Sequence, residues 1–292
     1  MKGFILKNAY FNIVEYETQA QRIKDELNLL GVECDIVRND YGFVTVDRAV
    51  KTAFDGYDFC VYLDKDKYLL KALEKSGVRT FNNFDAIEVC DDKMATYLSL
   101  SENGIDLPLT IPGVLCYDSK VVIRESQAEL IENKLGYPLI VKSSYGSRGT
   151  GVYLIKDRAQ LIAKMNELKM TPHLFQKFIP ESYGKDLRVI VIGGKVLGGM
   201  IRQSNGDFRS NVALGGSATP YPVDEKLSAI CEKCADILGL DYCGIDVLFG
   251  QNEKPYICEV NSNAFFYGFE RATGLNVAKA YAEHIVKAMQ NS

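Results

Sequence analysis

Apolar and polar residues alternate along the chain with two different periods, which predict short strands and helices in turn. Residues 3–7 and 58–63 are short apolar runs, whereas Ile23, Leu27 and Leu30 recur at helical spacing. Strand and helix signals keep alternating through the first 85 residues, so we expect a small parallel sheet covered by helices. This lobe is predicted to be Rossmann-like. No G-x-G-x-x-G follows its first strand, so a dinucleotide site is not supported.

A helix and a linker are predicted for residues 86–114. Asp91 or Asp92 can cap the helix, whose apolar residues follow directly. Pro108 and Pro112 then hold the segment DLPLTIPG in an extended form, because a residue that precedes proline disfavours the helical region. The linker leads into a second unit.

Two further units are predicted, residues 115–175 and residues 176–292. The second begins with a Val- and Ile-rich hairpin whose turn is Gly193–Gly194, as expected for antiparallel core strands. The other predicted elements are strands at 121–123, 138–142, 152–155 and 174–180, helices at 126–136, 158–169, 224–238 and 273–289, and a hairpin between 242 and 263. The fold class is therefore α/β with segregated α+β parts.

The hairpin between 242 and 263 brings polar side chains together among apolar strands. If its loop is symmetric about Asn252 and Glu253, Asp246 lies directly opposite Glu259. Asn261 lies two residues further and shares the face of Glu259. Two carboxylates and an amide oxygen suit a hard divalent cation such as magnesium. The alternative, that one carboxylate faces solvent and Asn261 begins a turn, stays open on the hairpin alone.

A glycine-rich turn follows the predicted strand at 138–142. Lys142 ends that strand, and Gly146, Gly149 and Gly151 come after it. Such a turn lets backbone N–H groups approach a phosphate closely, and the lysine adds a positive charge. The P-loop pattern is absent. A flexible hairpin with a surface lysine is the alternative.

A long polar segment, GDFRSNVALGGSATPY, follows the Val-rich hairpin. Loops of this length in compact domains are usually functional. Arg202 and Arg209 flank it, and paired arginines suit phosphate or carboxylate through bidentate hydrogen bonds. Two solvated surface arginines would give the same pattern.

Composition and charge narrow the class of protein. The chain has 292 residues, of which 47% are apolar and 25% charged. Its formal charge is −4, so it lacks the overall positive charge that favours binding to nucleic acid. The N-terminus lacks the apolar core of a signal peptide, and no run of about 18 apolar residues predicts a membrane span. We expect a cytoplasmic protein.

The eight cysteines are scattered, mostly within apolar runs. Cys231 and Cys234 form the one C-x-x-C pair, inside a helical pattern, and no second pair or nearby histidine completes a zinc site. Cys258 is expected to point into the core, opposite to Glu259. Reduced core thiols are predicted, in keeping with a reducing compartment.

The motifs occur in an order that resembles one family. A lysine-ended strand with a glycine turn is followed by QKFI, GKDLR, DFRSN, GIDVLF and EVN. This is similar to ATP-grasp ligases, and within them to the RimK-type branch, whose members add glutamate to a ribosomal protein or a cofactor tail. The resemblance covers roughly residues 85–290 and is most specific over 174–275. It implies an ATP-grasp fold whose Rossmann-like first lobe is a pre-ATP-grasp domain, with residues 115–175 as a small lid subdomain and residues 176–292 as the subdomain that holds the metal.

The resemblance also implies roles for individual residues. Arg209 and Asn211 are the implied catalytic pair, acting on the transferring phosphoryl group. The implied nucleotide contacts are Lys93, Lys142, Gly149 and Gly151 for phosphates, Gln176, Lys177, Phe178 and Ile179 for adenine, Asp186 for the ribose side, and Arg209, Ser210 and Asn211 for phosphate and acyl phosphate. Asp246, Glu259 and Asn261 are the implied ligands of magnesium, with manganese as a substitute.

Two segments depart from the family pattern, and both lie where a substrate would bind. VALGG follows FRSN where L-H-R-G-G is usual, and SNAFFYGFE follows EVN where a small S-P-G-L-E-G-type loop is usual. Phe265, Phe266 and Tyr267 are expected to form an apolar wall for the substrate, and Arg202 is a further expected substrate contact. Packing of these aromatics onto the core is the alternative. Lys177 also stands where an acidic residue is common.

The expected activity is that of an ATP-dependent carboxylate–amine ligase that works through an acyl phosphate. Its expected partners are a carboxylate substrate (a peptide, a protein C-terminus or a small molecule) and an amino acid, in a homo-oligomer without membrane or direct nucleic-acid contact. The alternatives are an ATP-grasp ligase of another branch, such as the D-alanine–D-alanine type, and a non-catalytic ATP-binding regulator. FRSN speaks against the other branches.

Overall fold

The first lobe is a parallel sheet with helices packed on it. The computed structural model describes residues 1–40, 44–147, 149–210 and 216–291. The elements of the first lobe are β1 (Lys2–Lys7), α1 (Val14–Leu29), β2 (Glu33–Arg38), β3 (Val44–Val46), β4 (Val50–Thr52), β5 (Phe59–Tyr62), α2 (Lys67–Lys75) and β6 (Arg79–Phe81). The strand order is β2-β1-β5-β6, all parallel, and β3 and β4 form a separate small hairpin. The predicted Rossmann-like arrangement is confirmed.

Two short helices and an edge strand form the connection to the second unit. They are α3 (Phe84–Asp91), α4 (Lys93–Leu100) and β7 (Thr110–Pro112). Asp92 caps α4, since its carboxylate accepts from the N–H groups of Met94 and Ala95. The predicted extended linker pairs as β7 along the next sheet, an addition that the proline pattern alone did not predict.

The second unit is an antiparallel sheet covered by two helices. Its elements are α5 (Glu125–Leu135), β8 (Leu139–Ser143), β9 (Val152–Ile155), α6 (Arg158–Leu168) and β10 (His173–Lys177), and the strand order is β7-β10-β8-β9. The predicted strand at 121–123 is wrong. Val122 is 73% exposed there, and the Lys169 ammonium donates to the carbonyls of Ser119 and Val121. A β-branched run without a core to cover it does not form a strand.

The third unit is a larger antiparallel sheet. Its elements are β11 (Lys185–Ile192), β12 (Lys195–Gln203), β13 (Ser217–Tyr221), α7 (Glu225–Ile237), β14 (Tyr242–Phe249), β15 (Pro255–Asn261), α8 (Tyr267–Thr273) and α9 (Val277–Gln290). The strand order is β13-β12-β11-β14-β15. The predicted turn of the first hairpin is confirmed, because Gly193 and Gly194 have φ of 56° and 71°, which favours glycine.

The register of the β14–β15 hairpin contains a β-bulge. Asp246 pairs with Glu259, as predicted, but nearer the loop the pairing is Val247 with Ile257. One residue, Cys258, is therefore extra on β15. The assumption of a loop symmetric about Asn252 and Glu253 was wrong. The extra residue at the bulge restores the predicted pairing at Asp246 and Glu259. The expectation that Cys258 points into the core was also wrong, because the bulge breaks the strict alternation of side chains.

The largest described core joins the first and third units. It contains Ile23 of α1 and Phe59 of β5 together with Tyr242, Tyr281 and Ile285. A separate core fills the second unit between its sheet and helices α5 and α6. The proposed boundaries near residues 85, 114 and 175 stay a prediction. None of the described helices is long and apolar enough to cross a bilayer.

Candidate active site

A row of charged residues crosses one face of the third sheet. Asp186 and Arg188 lie two residues apart on β11, so their side chains share a face. Strand pairing sets Arg202 of β12 opposite Asp186 and Asp246 of β14 opposite Arg188. Glu259 of β15 comes next in the row. The strands are otherwise rich in Val, Ile and Leu, so the row is a polar strip on an apolar sheet.

Two arginines hold Asp246. Arg188 donates from Nε and Nη2, the latter at 2.8 Å, and Arg202 Nη2 lies 3.0 Å from Oδ2 of Asp246. Burial alone would raise the pKa of this carboxyl, but the two guanidinium groups hold it below its usual range. Asp246 is therefore a buried, ionised carboxylate with both oxygens engaged.

Asp186 completes the buried network. Arg202 Nε donates to Asp186 at 2.7 Å, and the Ser210 hydroxyl also donates to this carboxylate. Burial raises the pKa of the Asp186 carboxyl against the effect of Arg202. The structure thus brings Asp186, Arg202 and Ser210 together. A ribose contact by Asp186 and a substrate contact by Arg202 stay predictions, and the Arg202 guanidinium is already shared between two carboxylates.

Two lysines from different elements converge on β15. Lys93 is the first residue of α4, and its Nζ lies 3.5 Å from Oε1 of Glu259 and donates to the carbonyl of Gly146 at 2.8 Å. Lys142 of β8 places Nζ 3.5 Å from the sulfur of Cys258. Both lysines are buried. The two lysines that the family resemblance assigned to phosphates therefore lie beside the predicted metal strand.

Two residues of this site escaped the sequence-based prediction. Arg188 carried a usable signal, because a charged residue inside KDLRVIVI, two positions after Asp186, must share its face. Cys258 carried none, since the bulge that turns it toward Lys142 is not visible in the sequence. Burial raises the pKa of the Cys258 thiol even beside Lys142, so the thiol is neutral next to an ammonium.

The predicted metal ligands fit a hard cation. Asp246, Glu259 and Asn261 supply oxygen atoms, which magnesium prefers. Asn261 is paired with Gly244, and its Nδ2 is buried without a partner among the described residues. Nδ2 is a hydrogen-bond donor, so a cation would be bound by Oδ1 of the same amide. No group of three His, Cys, Asp or Glu side chains suits a metal within the described ranges, so an ion here relies on the amide.

The glycine turn contacts the polar segment that contains DFRSN. Gly146, Gly149 and Gly151 have φ of 126°, 75° and 76°. Arg209 Nη1 donates to the carbonyl of Gly149 at 3.1 Å, while its Nε and Nη2 donate to Asp207 at 3.0 and 2.8 Å. A cleft of about 960 Å³ opens along β9, between the turn and residues 206–209.

One member of the predicted catalytic pair cannot be placed. Asn211 lies outside the described residues, as does most of the VALGG segment after it. Arg209 is placed, and its guanidinium is tied to Asp207, whose pKa is lowered by the hydrogen bonds from Arg209. Asp207 and Gly149 engage three of the five N–H groups of Arg209, so two remain for a phosphate.

The predicted adenine residues lie where β10 leaves the second sheet. Gln176 is buried and donates to the Thr110 hydroxyl at 2.9 Å, and Ile179 is buried as well. The N–H of Lys177 donates to the carbonyl of Leu109 at 2.8 Å, so it is occupied by the edge pairing with β7. Reading of the base by the other backbone groups of Lys177 and Phe178 stays a prediction.

The three predicted wall aromatics do not stand together in an exposed loop. Phe266 is 1% exposed and packs edge-on against Tyr242, with ring centroids 6.4 Å apart, because the chain turns into α8 directly after it. Phe265 is half-buried and stacks on Phe11 of the first lobe at 6.4 Å. Tyr267 is 39% exposed. The assumed exposure was wrong for Phe266, and substrate contacts by Phe265 and Tyr267 stay predictions.

One known protein family matches the part of the chain that contains these residues. The sequence matches the RimK-like ATP-grasp domain over residues 90–285, which is more than half of the chain. The matched range contains the lysines, the glycine turn, the charged row and both hairpins described above. The first lobe lies outside it.

Two curated relatives show the extent of the similarity. N-acetylaspartylglutamate synthase A of Homo sapiens is 36% identical over 233 residues, which are 79% of this chain and 58% of the relative. The glutamate–LysW ligase ArgX of Sulfurisphaera tokodaii is 35% identical over 225 residues, covering 75% of this chain and 76% of the relative. The chain spans less than two thirds of the length of the human relative.

A solved structure shows the same fold at low sequence identity. The ATP-grasp ligase PsnB, in complex with a phosphomimetic variant of a minimal precursor, Mg and ADP, aligns with a TM-score of 0.69 at 16% identity. The alignment covers 99% of this chain and 98% of PsnB. The predicted ATP-grasp fold is thereby confirmed.

Proposed function

The chain belongs to the RimK-like ATP-grasp family, and on that premise we propose that it is an ATP-dependent carboxylate–amine ligase. One observation carries the proposal. Lys93 and Lys142 converge from α4 and β8 on β15, where Glu259 pairs with Asp246. Two lysine ammonium groups that face a pair of carboxylates can bind a polyphosphate together with its divalent cation.

The proposed nucleotide site lies between the second and third sheets. Lys93 and Lys142 bind phosphate oxygens. The glycine turn covers the phosphates, which its backbone can approach closely because three of its positions are glycines with positive φ. The residues that line the base are Gln176, Lys177, Phe178 and Ile179, and backbone groups of Lys177 and Phe178 read it. The side chains of Gln176 and Ile179 are buried.

Asp246, Glu259 and Asn261 are proposed to hold magnesium, or manganese, which accepts similar oxygen ligands. The cation supplies charge neutralisation at the phosphates. Arg188 and Arg202 keep Asp246 ionised and fix its position in the sheet, so the ligand is preorganised. A carboxylate has about four lone-pair sites, and Arg188 occupies two of them and Arg202 one, so one site is left for the cation.

The proposed reaction activates a carboxylate by transfer of the γ-phosphoryl group and then lets an amine displace phosphate. A carboxylate is a poor electrophile near neutral pH, whereas an acyl phosphate has a good leaving group. Arg209 stabilises the charge that develops on the transferring group through the N–H groups that Asp207 and Gly149 leave free. Asn211 is proposed to act with it. Since acyl phosphates hydrolyse, the glycine turn must exclude water while the amine attacks.

Glutamate is the proposed amino acid, because the relatives with about 35% identity are named as enzymes that join glutamate to another group. The acceptor is a peptide, a protein C-terminus or a small carboxylate. Buried thiols at six of the eight cysteines support a reducing, cytoplasmic compartment, and a homo-oligomer is proposed from the family. No direct nucleic-acid contact and no membrane association are proposed.

ADP release in the presence of paired substrates tests the proposal. Purified protein is given ATP, magnesium, an amino acid from a panel that includes glutamate, and an acceptor from a panel of peptides, N-acetylaspartate and small dicarboxylates. We expect release that needs both substrates. D-alanine as the best substrate would favour the other ligase branch. Nucleotide binding without release by any pair would favour the non-catalytic regulator.

A further inference from the structure

Helix α4 meets β15 through two side chains that lie one helical turn apart. Lys93 and Tyr97 are four residues apart, so they share a face of the helix. Lys93 Nζ lies 3.5 Å from Oε1 of Glu259, and the Tyr97 hydroxyl donates to the backbone carbonyl of Cys258. The helix therefore contacts two consecutive residues of β15, one of which is a proposed metal ligand.

The residue that Tyr97 bonds is the extra residue of the β-bulge. Cys258 lies between the pairs formed by Ile257 and by Glu259, and within the described strands the register gives it no partner of its own. A bulge disrupts the ladder locally and changes the direction of the side chains beside it. The conformation of Cys258 therefore decides where the Glu259 carboxylate points, and the Tyr97 hydroxyl holds that conformation from outside the sheet.

Two of the predicted nucleotide contacts meet at the same tyrosine. The side chain of Gln176, a predicted adenine contact, hydrogen-bonds the Tyr97 hydroxyl. The sulfur of Cys258 lies 3.5 Å from Nζ of Lys142, a predicted phosphate contact. Residues predicted to bind the base, the phosphates and the metal are thus connected through one hydroxyl group.

The Tyr97 hydroxyl acts as a neutral group. The residue is 3% exposed, and burial raises the pKa of its phenol to about 12. The hydroxyl therefore keeps its proton at neutral pH. It donates that proton to the Cys258 carbonyl, and its lone pairs can accept from the amide of Gln176.

Helix α4 is a firm support for this donor. Asp92 caps its first turn, and the N–H of Lys93 donates to the carbonyl of Ser144 at 3.0 Å. The Thr96 hydroxyl donates to the carbonyls of Val89 and Asp92 at 2.9 and 3.1 Å. A group on a rigid element, fixed by its own packing and hydrogen bonds, can hold a neighbouring ligand in place.

We propose that Tyr97 is a positioning residue that holds the bulge of β15 and thereby directs Glu259 toward the magnesium of the bound nucleotide. It acts on the metal through the backbone of Cys258, as an outer-shell partner of the ligand. The family resemblance assigned no role to Tyr97. This inference rests on the proposed nucleotide and metal site, and it adds the residue that fixes the position of one ligand.

The effect of magnesium on nucleotide binding tests this role. The Kd of a non-hydrolysable ATP analogue is measured by calorimetry with saturating magnesium and again with EDTA, and the ratio of the two values is the magnesium enhancement. Tyr97→Phe keeps the ring and removes only the hydroxyl. We expect it to lower the magnesium enhancement by about 10–100-fold, the loss typical of an outer-shell partner of a metal ligand. The Kd in EDTA should change much less.

Two matched variants separate positioning from general stability. Tyr62→Phe removes the hydroxyl of another buried tyrosine, which donates to the carbonyl of Asp66 in the first lobe. Both Tyr→Phe variants should lower Tm to a similar extent, because each loses one hydrogen bond from a buried phenol. Tyr62→Phe should keep the magnesium enhancement. Cys258→Ala removes the thiol but keeps the carbonyl that Tyr97 bonds, so it should also keep the enhancement.

Two outcomes overturn the inference: a wild-type magnesium enhancement in Tyr97→Phe, or an equal loss in Cys258→Ala. Equal Kd values with magnesium and with EDTA in the wild-type protein would overturn it together with the proposed metal site. An enhancement that depends on Tyr97 in a protein that releases no ADP would support the positioning role and contradict the ligase function. ADP release with an enhancement that ignores Tyr97 would do the reverse.

Discussion

The two carboxylates that face each other on β14 and β15 differ in what surrounds them. Asp246 is buried with two arginines, whereas the Glu259 side chain is 30% exposed and has one lysine at 3.5 Å. Substitution at either position should remove activity, but for different reasons. Glu259 therefore gives the cleaner test of metal binding.

Glu259→Gln should lower the rate of ADP release by about 10²–10³, the loss typical of one electrostatic group at a reaction centre. Its free energy of unfolding should stay within about 1 kcal/mol of wild type, because the lost pair is partly solvated. Rates over a magnesium series and urea titrations measure both. Glu253→Gln, in the loop of the same hairpin, is the control. A near wild-type rate at low magnesium would contradict the metal role.

Asp246→Asn should instead destabilise the fold by about 3–5 kcal/mol, because it leaves two buried guanidinium groups short of a counter-charge. The arginines hold the pKa of Asp246 below its usual range. The charge therefore contributes stability above about pH 4, and that contribution is lost as the pH falls through the lowered pKa. The gap between wild type and Asp246→Asn in urea titrations should be widest near neutral pH and narrow in acid. A pH-independent gap would contradict the ion-pair account.

Phe266 and Tyr267 are neighbours with opposite environments, which separates packing from substrate contact. Phe266→Ala should cost about 3–5 kcal/mol of unfolding free energy, since a fully buried ring leaves a cavity. Tyr267→Ala should stay within about 0.5 kcal/mol, as is usual for exposed positions. Thermal or urea unfolding measures the difference. Equal losses of unfolding free energy would contradict the difference in burial between Phe266 and Tyr267.

These residues also show which features of the site could be predicted from the sequence. The pairing of Asp246 with Glu259 was predicted from strand period and an assumed symmetric loop, and the pairing is present. The loop is not symmetric as assumed. The extra residue at Cys258 compensates for the shift in pairing, so Asp246 still lies opposite Glu259. Alternation cannot reveal an extra residue, so neither the orientation of Cys258 nor the burial of Phe266 was predictable.

At the scale of elements, the glycine turn between β8 and β9 is held by contacts from two other elements. Lys93 of α4 bonds the carbonyl of Gly146, and Arg209 bonds that of Gly149. Elements with a clear pattern, such as α6 and β8, were predicted to within a few residues. Residues 121–123 and β7 were not, since a strand forms only where a partner edge and a core lie beside it.

Binding of ATP and magnesium should slow amide hydrogen exchange in residues 143–151, because the nucleotide adds contacts to a turn held at few points. Lys93→Met should abolish the slowing, since Lys93 links the turn to β15. Lys164→Met, in α6 of the same unit, should preserve it. Exchange that is equal with and without nucleotide would count against a phosphate role for the turn and for Lys142.

At the scale of the whole molecule, the cores do not follow the order of the chain. The first and third units share one core, in which α1 packs against α9. Arg79 of β6 adds a double hydrogen bond to Asp241, at 3.0 and 3.1 Å, and His284 of α9 bonds the same carboxylate. The sequence predicted four consecutive segments, but periodicity marks which residues are buried and does not say against which distant element they pack.

The shared core predicts which parts of the molecule unfold together. Ile285→Ala removes a buried side chain from it and should cost about 2–5 kcal/mol. Amide exchange under native conditions should then rise in β1 and α1 as well as in β11 and β14, because one core supports both units. Leu161→Ala makes the matched change in the separate core of the second unit and should raise exchange there, in β8, β9 and β10, while sparing β1. Exchange that rises in the third unit alone after Ile285→Ala would show that the first lobe is stable by itself, and that the lobes only touch.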